Sequence, residues 1–490
     1  MKIRLFAILL AVVMVLPLVS CSSKTKSTSS AYSDDGSQTY EILWYYPGRE
    51  GKDLAKINEK VNEYVKEKIN ATVKLIPLEW GVYGSKTVNS LNAGEKIDLM
   101  WQSNLNYMNN ANSGTWIQID DLFSKYAPKT KEMLGDTFLN GCKIERKLYG
   151  VPANKDKAHY IGLMYRKDIA DKYGFDLSNV KSLKDMYPFF DKIISKDSNM
   201  VPYGIAGGRS PWAISMYDDL GGTGIVGFVP GEGENKIVDL YESNLFRQCC
   251  EQAQYMYRKG YIYKDAAVVD NLSELESNGT VFCWQESCTP GKLAEMNNVS
   301  KYKLGEIKLT DIVMNENDCL GSIMGIPYTC ENPIRVMKFI ELFNTDPYLN
   351  NLINFGIEGA QYEKISDNQI RMLDGKKDYD FVGSQWELGN MFINYTLENE
   401  DPEKFKKLKE FNESATPSKY LGFTFNREEV DTECSACSNV ISEYKRTLEY
   451  GAGDVDTLLP QFINKLKKAG VDDVVVSAQK QYDKWIQNNE

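Results

Sequence analysis

Tyr40-Glu41-Ile42-Leu43-Trp44-Tyr45-Tyr46, Ala71-Thr72-Val73-Lys74-Leu75-Ile76 and Lys96-Ile97-Asp98-Leu99-Met100-Trp101 are three short runs rich in β-branched and aromatic residues. Pro47-Gly48 stops the first and Pro77 the second. Between the first two, Leu54, Ile57, Val61, Val65 and Ile69 recur at helical spacing, so a helix is expected over Asp53 to Ile69. A second helix is expected around Ser85 to Leu91. Strand alternating with helix predicts an α/β fold, a parallel sheet with helices on its faces. Ligands of such sheets gather beyond the carboxyl ends of the strands. Here those ends carry Trp44-Tyr45-Tyr46, Glu79-Trp80 and Trp101-Gln102, so each strand delivers an aromatic and two deliver a polar partner.

Upstream of these strands, Lys2 and Arg4 precede an apolar run from Leu5 to Leu16, shorter than the ~20 residues a spanning helix needs. A charged start followed by a short apolar run is a secretory signal. The run ends in Leu18-Val19-Ser20-Cys21, which resembles the lipobox of bacterial lipoproteins. That resemblance implies cleavage after residue 20 and acylation of Cys21, with several acyl chains giving a stable anchor. Residues 1–20 are thus read as a signal peptide, and 21–38, rich in Ser and Thr, as a flexible tether. No later apolar run is long enough to cross a membrane, so the lipid is the only membrane attachment expected.

About 470 residues remain after cleavage, enough for two or three domains. The net charge of −11 becomes −13 once Lys2 and Arg4 are removed, and an acidic body has no footprint for nucleic acid. Apart from Cys21, nine cysteines are left, an odd number, with Cys249 and Cys250 adjacent. A complete disulfide framework is therefore not expected, and buried free thiols are. A single histidine, His159, leaves too few ligands for a zinc site, so neither metal nor cofactor is expected.

Further along, Trp116-Ile117-Gln118-Ile119-Asp120-Asp121-Leu122-Phe123, then Lys147-Leu148-Tyr149-Gly150-Val151-Pro152-Ala153-Asn154, then Gly162 to Ala170, resemble an extracellular solute-binding protein of ABC importers of the carbohydrate type. Asn351 to Gly359 with Gln361-Tyr362-Glu363 resembles a C-terminal module found on a subset of these lipoproteins. The resemblance implies a two-lobed, type II periplasmic-binding-protein-like fold whose lobes are joined by crossover hinge segments, expected near Asn154, Gln285 and Asp346. The expected division is 39–154 for the first part of lobe 1, 155–285 for the first part of lobe 2, 286–345 for a return to lobe 1, and 346–490 for a C-terminal module completing lobe 2. It also implies ABC permease transmembrane subunits as the partner of a monomeric protein.

Aromatics make up 12% of the chain, with thirty Tyr and eight Trp, more than a core of this size requires. A sugar presents C–H groups on its faces, which suit aromatic rings, and hydroxyls on its rim, which suit amides, carboxylates and Arg. Candidate stacking residues are Trp44, Tyr46, Trp101, Trp212, Trp284 and Trp386. Candidate hydrogen-bonding residues are Glu79, Gln102, Asn154, Arg209, Glu286 and Gln361. Nucleophilic Ser-His-Asp chemistry would rest on His159 alone, with no GxSxG elbow, so no enzyme is expected. A peptide or other polar solute is the alternative ligand, and an extracellular glycosidase the rival class.

Overall fold

The computed structural model describes residues 32–205, 210–211, 217–268, 275–276, 278–373 and 385–488. The three opening runs form β1 (Tyr40–Pro47), β2 (Ala71–Leu78) and β3 (Leu99–Gln102), with β1 central and parallel to both neighbours. Helix α1 (Leu54–Ile69) buries Leu54, Ile57, Val61 and Val65, the stripe that predicted it. It ends at Asn70, whose left-handed conformation (φ 50°) lets its N–H reach the Lys66 carbonyl. Helix α2 runs from Trp80 to Asn92, starting at the turn after β2 rather than at Ser85. Strand Ile323–Gly325 then inserts antiparallel between β3 and β4 (Gly150–Pro152), completing a five-stranded sheet. This sheet and its helices are lobe 1.

Lobe 2 is built on a second sheet, ordered Leu304–Lys308, β5 (Tyr160–Arg166), Val281–Cys288 and β6 (Val201–Gly204). Helices Asp431–Glu449, Val455–Lys468 and Val471–Gln487 share a core with helix Asn244–Arg258, through Phe246, Cys250, Phe462, Leu466 and Tyr482.

The chain passes between the lobes three times, and the three passages lie side by side. His159 exchanges backbone hydrogen bonds with Val313. Strand Val313–Met314 pairs in parallel with Thr416–Pro417. The His159 ring lies 2.8 Å from the Asp318 carboxylate, so the lone histidine is a buried structural group of this hinge.

The crossings expected near Gln285 and Asp346 do not lie there. Gln285 lies inside strand Val281–Cys288, which is followed by another lobe 2 strand before the chain leaves. Asp346 caps the helix Pro347–Phe355, accepting the Leu349 N–H, within lobe 1. The boundaries shift accordingly: Leu349, Ile353, Leu388, Leu408 and Phe411 belong to the same core as Trp44, and only the chain beyond the third passage completes lobe 2.

The tether also ends sooner than expected. Asp34 is buried against Arg335, which donates from Nε at 2.9 Å and from Nη2 at 2.6 Å. The same guanidinium donates to the Asn70 carbonyl, so it ties the incoming chain to the amino end of β2.

All nine cysteines of the described residues are buried free thiols, as the odd count and the adjacent pair implied. Among the described residues no helix is long and apolar enough to cross a membrane.

Removing one member of a buried ion pair strands the other, at a cost of ~3–5 kcal/mol. Asp34→Ala is therefore expected to lower the thermal midpoint of the protein, and an unchanged midpoint would contradict the assignment. Hydrogen bonding to Arg335 holds the Asp34 carboxyl well below the usual carboxylate range. Its contribution is thus present above the ordinary value of about 3.9 and is lost only as pH falls toward the lowered one.

Candidate functional site

The carboxyl ends of β1, β2 and β3 meet at one edge of lobe 1, where the turns after β1 and β2 leave a cavity of about 320 Å³. Arg49 follows β1, Glu79 and Trp80 follow β2, and Glu387 enters from the late segment 385–391. Trp80 lies edge-to-face on Trp101, with ring centroids 5.1 Å apart at 84°. Trp386 stands nearly parallel to Trp80, 6.2 Å away at 16°, and edge-to-face on Trp101 at 6.5 Å. Trp101 is the floor of this group, 7% exposed, with its indole N–H donating to Ser322 Oγ at 2.8 Å. The Tyr83 hydroxyl donates to the Trp101 carbonyl at 2.7 Å and fixes that floor from α2. Trp80 and Trp386 are the walls, 55% and 37% exposed. Exposed indoles held by other rings are what a ring-shaped apolar face requires of its binding site.

Glu387 is 2% exposed, and its Oε1 has no hydrogen-bond partner among the described residues. Burial alone pushes its carboxyl up to about 8. Groups of three or more His, Cys, Asp or Glu placed to hold a metal ion are absent among the described residues.

Of the residues proposed from sequence, Trp101, Trp386 and Glu79 come together here, and Gln102 ends β3 beside them, buried opposite Ile323. Trp44 and Tyr46 do not. Alternation along β1 points Ile42, Trp44 and Tyr46 to the same face, and both aromatics are 0% exposed. Trp44 packs on Phe339 and Phe343 of helix Pro333–Thr345, at 5.5 and 5.2 Å, so these rings hold the sheet to its helix.

Trp284 is also core, buried with Met164, Cys288 and Leu304 in lobe 2. Gln361 has its amide occupied: Oε1 accepts the Ile357 N–H at 2.9 Å and Nε2 donates to Asp53 at 3.0 Å. Asn154 is buried and bonded to Asn390, which makes it a fastener of the site segment and removes it from the wall. Glu286 is half-buried, near the end of its strand that lies by the first passage. Arg209 and Trp212 lie outside the described residues.

Three site residues were missed: Arg49, Trp80 and Glu387. Trp80 was visible beside Glu79 at the end of β2. Glu387 carried no signal beyond its neighbour Trp386.

A larger cavity, of about 550 Å³, opens where the lobes face each other. Pro290, Gly291 and Leu293 line it from lobe 2, and Glu400, Lys404 and Lys407 from the lobe 1 side.

Residues 59–357 match the family model described as bacterial extracellular solute-binding protein, and residues 419–487 match a domain of unknown function, DUF3502. The chain is 28% identical, over 99% of its length and 98% of the relative's, to a carbohydrate ABC transporter substrate-binding protein of Streptococcus pneumoniae. Among solved structures it resembles the N-glycan transport solute binding protein NgtS of Streptococcus pneumoniae, with a TM-score of 0.84 and 27% identity over 92% of this chain and 100% of that one. Against the same protein in complex with Man5GlcNAc the score is 0.72, at the same identity and coverage. The Streptococcus pneumoniae substrate binding protein FusA in complex with kestose shares the fold alone, at 15% identity over 92% of this chain and 100% of that one, with a TM-score of 0.62. With more than half its length matched, two α/β lobes and three laced passages between them, the chain belongs to the bacterial extracellular solute-binding proteins.

Proposed function

We propose that this chain captures a carbohydrate, an oligosaccharide, in the cleft between its lobes and delivers it to the transmembrane subunits of an ABC permease. The observation that carries this is the indole group Trp80, Trp101 and Trp386, assembled with Glu79 and Glu387 at the carboxyl ends of the parallel strands. Flat rings suit the C–H faces of a sugar, and the flanking carboxyl groups suit its hydroxyls. The full-length likeness to a protein described as a carbohydrate ABC transporter substrate-binding protein supports the same ligand class.

Ligand held by both lobes favours the closed arrangement by hinge bending. Glu286 of lobe 2 is proposed to meet the ligand, as are Arg209 and Trp212, which lie outside the described residues. The protein acts as a monomer, performs no chemistry on its ligand, and is held at the outer face of the cell membrane by lipid on Cys21.

Titration calorimetry with a panel of neutral oligosaccharides, Man5GlcNAc among them, tests the ligand class. Trp80→Ala and Trp386→Ala are each expected to weaken binding by ~1–3 kcal/mol, the range found for rings stacked on aromatic side chains. Both should leave the thermal midpoint in place. Trp44→Ala should instead lower stability by ~3–5 kcal/mol, as large-to-small core changes do. Unchanged affinity in both wall variants would remove the site from lobe 1.

Anchoring is checked separately by expressing Cys21→Ala. The variant is expected to appear in the medium or the soluble extracytoplasmic fraction, and its retention with the membrane would refute acylation at Cys21.

A further inference from the structure

Glu387 is the one group in the cavity whose surroundings do not explain it. Its side chain is buried at the cavity wall, and Oε1 meets no donor among the described residues. Arg49 and Glu79 line the same cavity but are exposed, and no ion pair joins Arg49 to Glu387 among the described residues. Tyr83, the remaining titratable group close enough to feel Glu387, has spent its hydroxyl on the Trp101 carbonyl. The nearby indole faces carry negative quadrupole density, which disfavours an anion and suits a neutral acid.

We infer that Glu387 recognises the ligand as a neutral carboxylic acid, presenting one O–H donor and one C=O acceptor to a pair of adjacent hydroxyls on an uncharged sugar. This deepens the carbohydrate assignment and rests on it. A neutral carboxyl offers a donor beside an acceptor, which two neighbouring hydroxyls complement, whereas a carboxylate offers acceptors only. Burial pushes Glu387 up to about 8, so the empty site holds the acid form at neutral pH. Ligand seated on it removes remaining water and favours that form further. Binding then takes up a proton wherever the free site is ionised, so affinity is full below about pH 8 and falls above it. The slope is one proton, about tenfold in Kd per pH unit.

The test measures Man5GlcNAc binding to the mature wild-type chain and to Glu387→Gln and Glu387→Leu, from pH 6.5 to pH 9, by calorimetry. Wild type is expected to lose about tenfold in affinity by pH 9. Glu387→Gln keeps one donor and one acceptor and cannot ionise, so it should stay within about threefold of wild type at pH 6.5 and show no fall. Glu387→Leu should be weaker by about tenfold or more at every pH, as when a site's polar group loses its hydrogen bonds. Glu316, also pushed up to about 8 by burial, sits beside the hinge and titrates in the same range. The flat profile of Glu387→Gln separates the two.

Wild-type affinity that stays level to pH 9 overturns the inference. So does a tenfold loss in Glu387→Gln at pH 6.5, the mark of a carboxylate paired with Arg49 in the bound state. No binding of any oligosaccharide of the panel at any pH overturns the carbohydrate assignment itself and the inference with it. The wild-type profile needs no variant, so a folding defect in a substituted chain does not obscure the result.

Discussion

Asn154 is where three distant parts of the chain are held in one place. Its N–H donates to the Gly389 carbonyl at 2.7 Å and its own carbonyl accepts the Met391 N–H at 3.0 Å. Its side-chain amide donates to Asn390 at 2.9 Å, and the preceding Ala153 N–H donates to Ser322. Asn390 in turn donates to the Asn344 carbonyl at 2.9 Å, at the end of helix Pro333–Thr345. Buried amides arranged in this way rigidify what they join, because each lost partner leaves a polar group without water. The consequence is positional. Trp386 and Glu387, more than two hundred residues after β3, are fixed against its carboxyl end as firmly as Trp101 itself.

Beyond Asn154 the constraint changes character. Each lobe closes its own core, and three extended passages run between them, laced by backbone hydrogen bonds at His159, Val313, Thr416 and Ser418, while Arg146 donates to the Asn488 carbonyl and Thr424 to that of Lys143 beside them. Side-by-side pairing resists sliding of one passage along another while leaving their torsions free to bend. Differential contacts with a ligand then bias the angle between the two bodies. Rigidity at Asn154 keeps the indole group part of one body whatever that angle is.

The strand–helix alternation was legible because period-two and period-3.6 patterns are local, and α1 buried the stripe that its sequence announced. Asn332 and Asp346, which accept the Arg335 and Leu349 N–H groups, cap helices opened by proline, and such caps are set by local sequence too. What local pattern does not carry is which face of a strand looks toward solvent. Trp44 and Trp101 both lie toward the carboxyl end of a strand, yet one meets a helix and the other meets Trp80 and Trp386. Gln361 reads as a free amide until Asp53, three hundred residues away in sequence, takes it. The C-terminal stretch likewise read as one module. Its first part finds its apolar partners in lobe 1 and its last helices find theirs in lobe 2, a division set by tertiary contact and invisible to periodicity. Trp386 was recognisable as a candidate by composition alone, and its neighbour Glu387 was not, because its importance comes from the absence of a partner.

The fastening of Asp34 to Arg335 bears on how the molecule stands on a membrane. Arg335 holds Asp34, Gln38 and Asn70, all at the amino ends of β1 and β2, whereas the indole cavity lies at the carboxyl ends of the same strands. With Cys21 acylated as proposed, Tyr32 packed on the lobe 1 core and Asp34 held by Arg335 limit the chain between lipid and body to about 40 Å at full extension. The remainder of the Ser- and Thr-rich stretch adds no reach. A lipid on Cys21 would therefore leash lobe 1 by the end opposite its indole cavity.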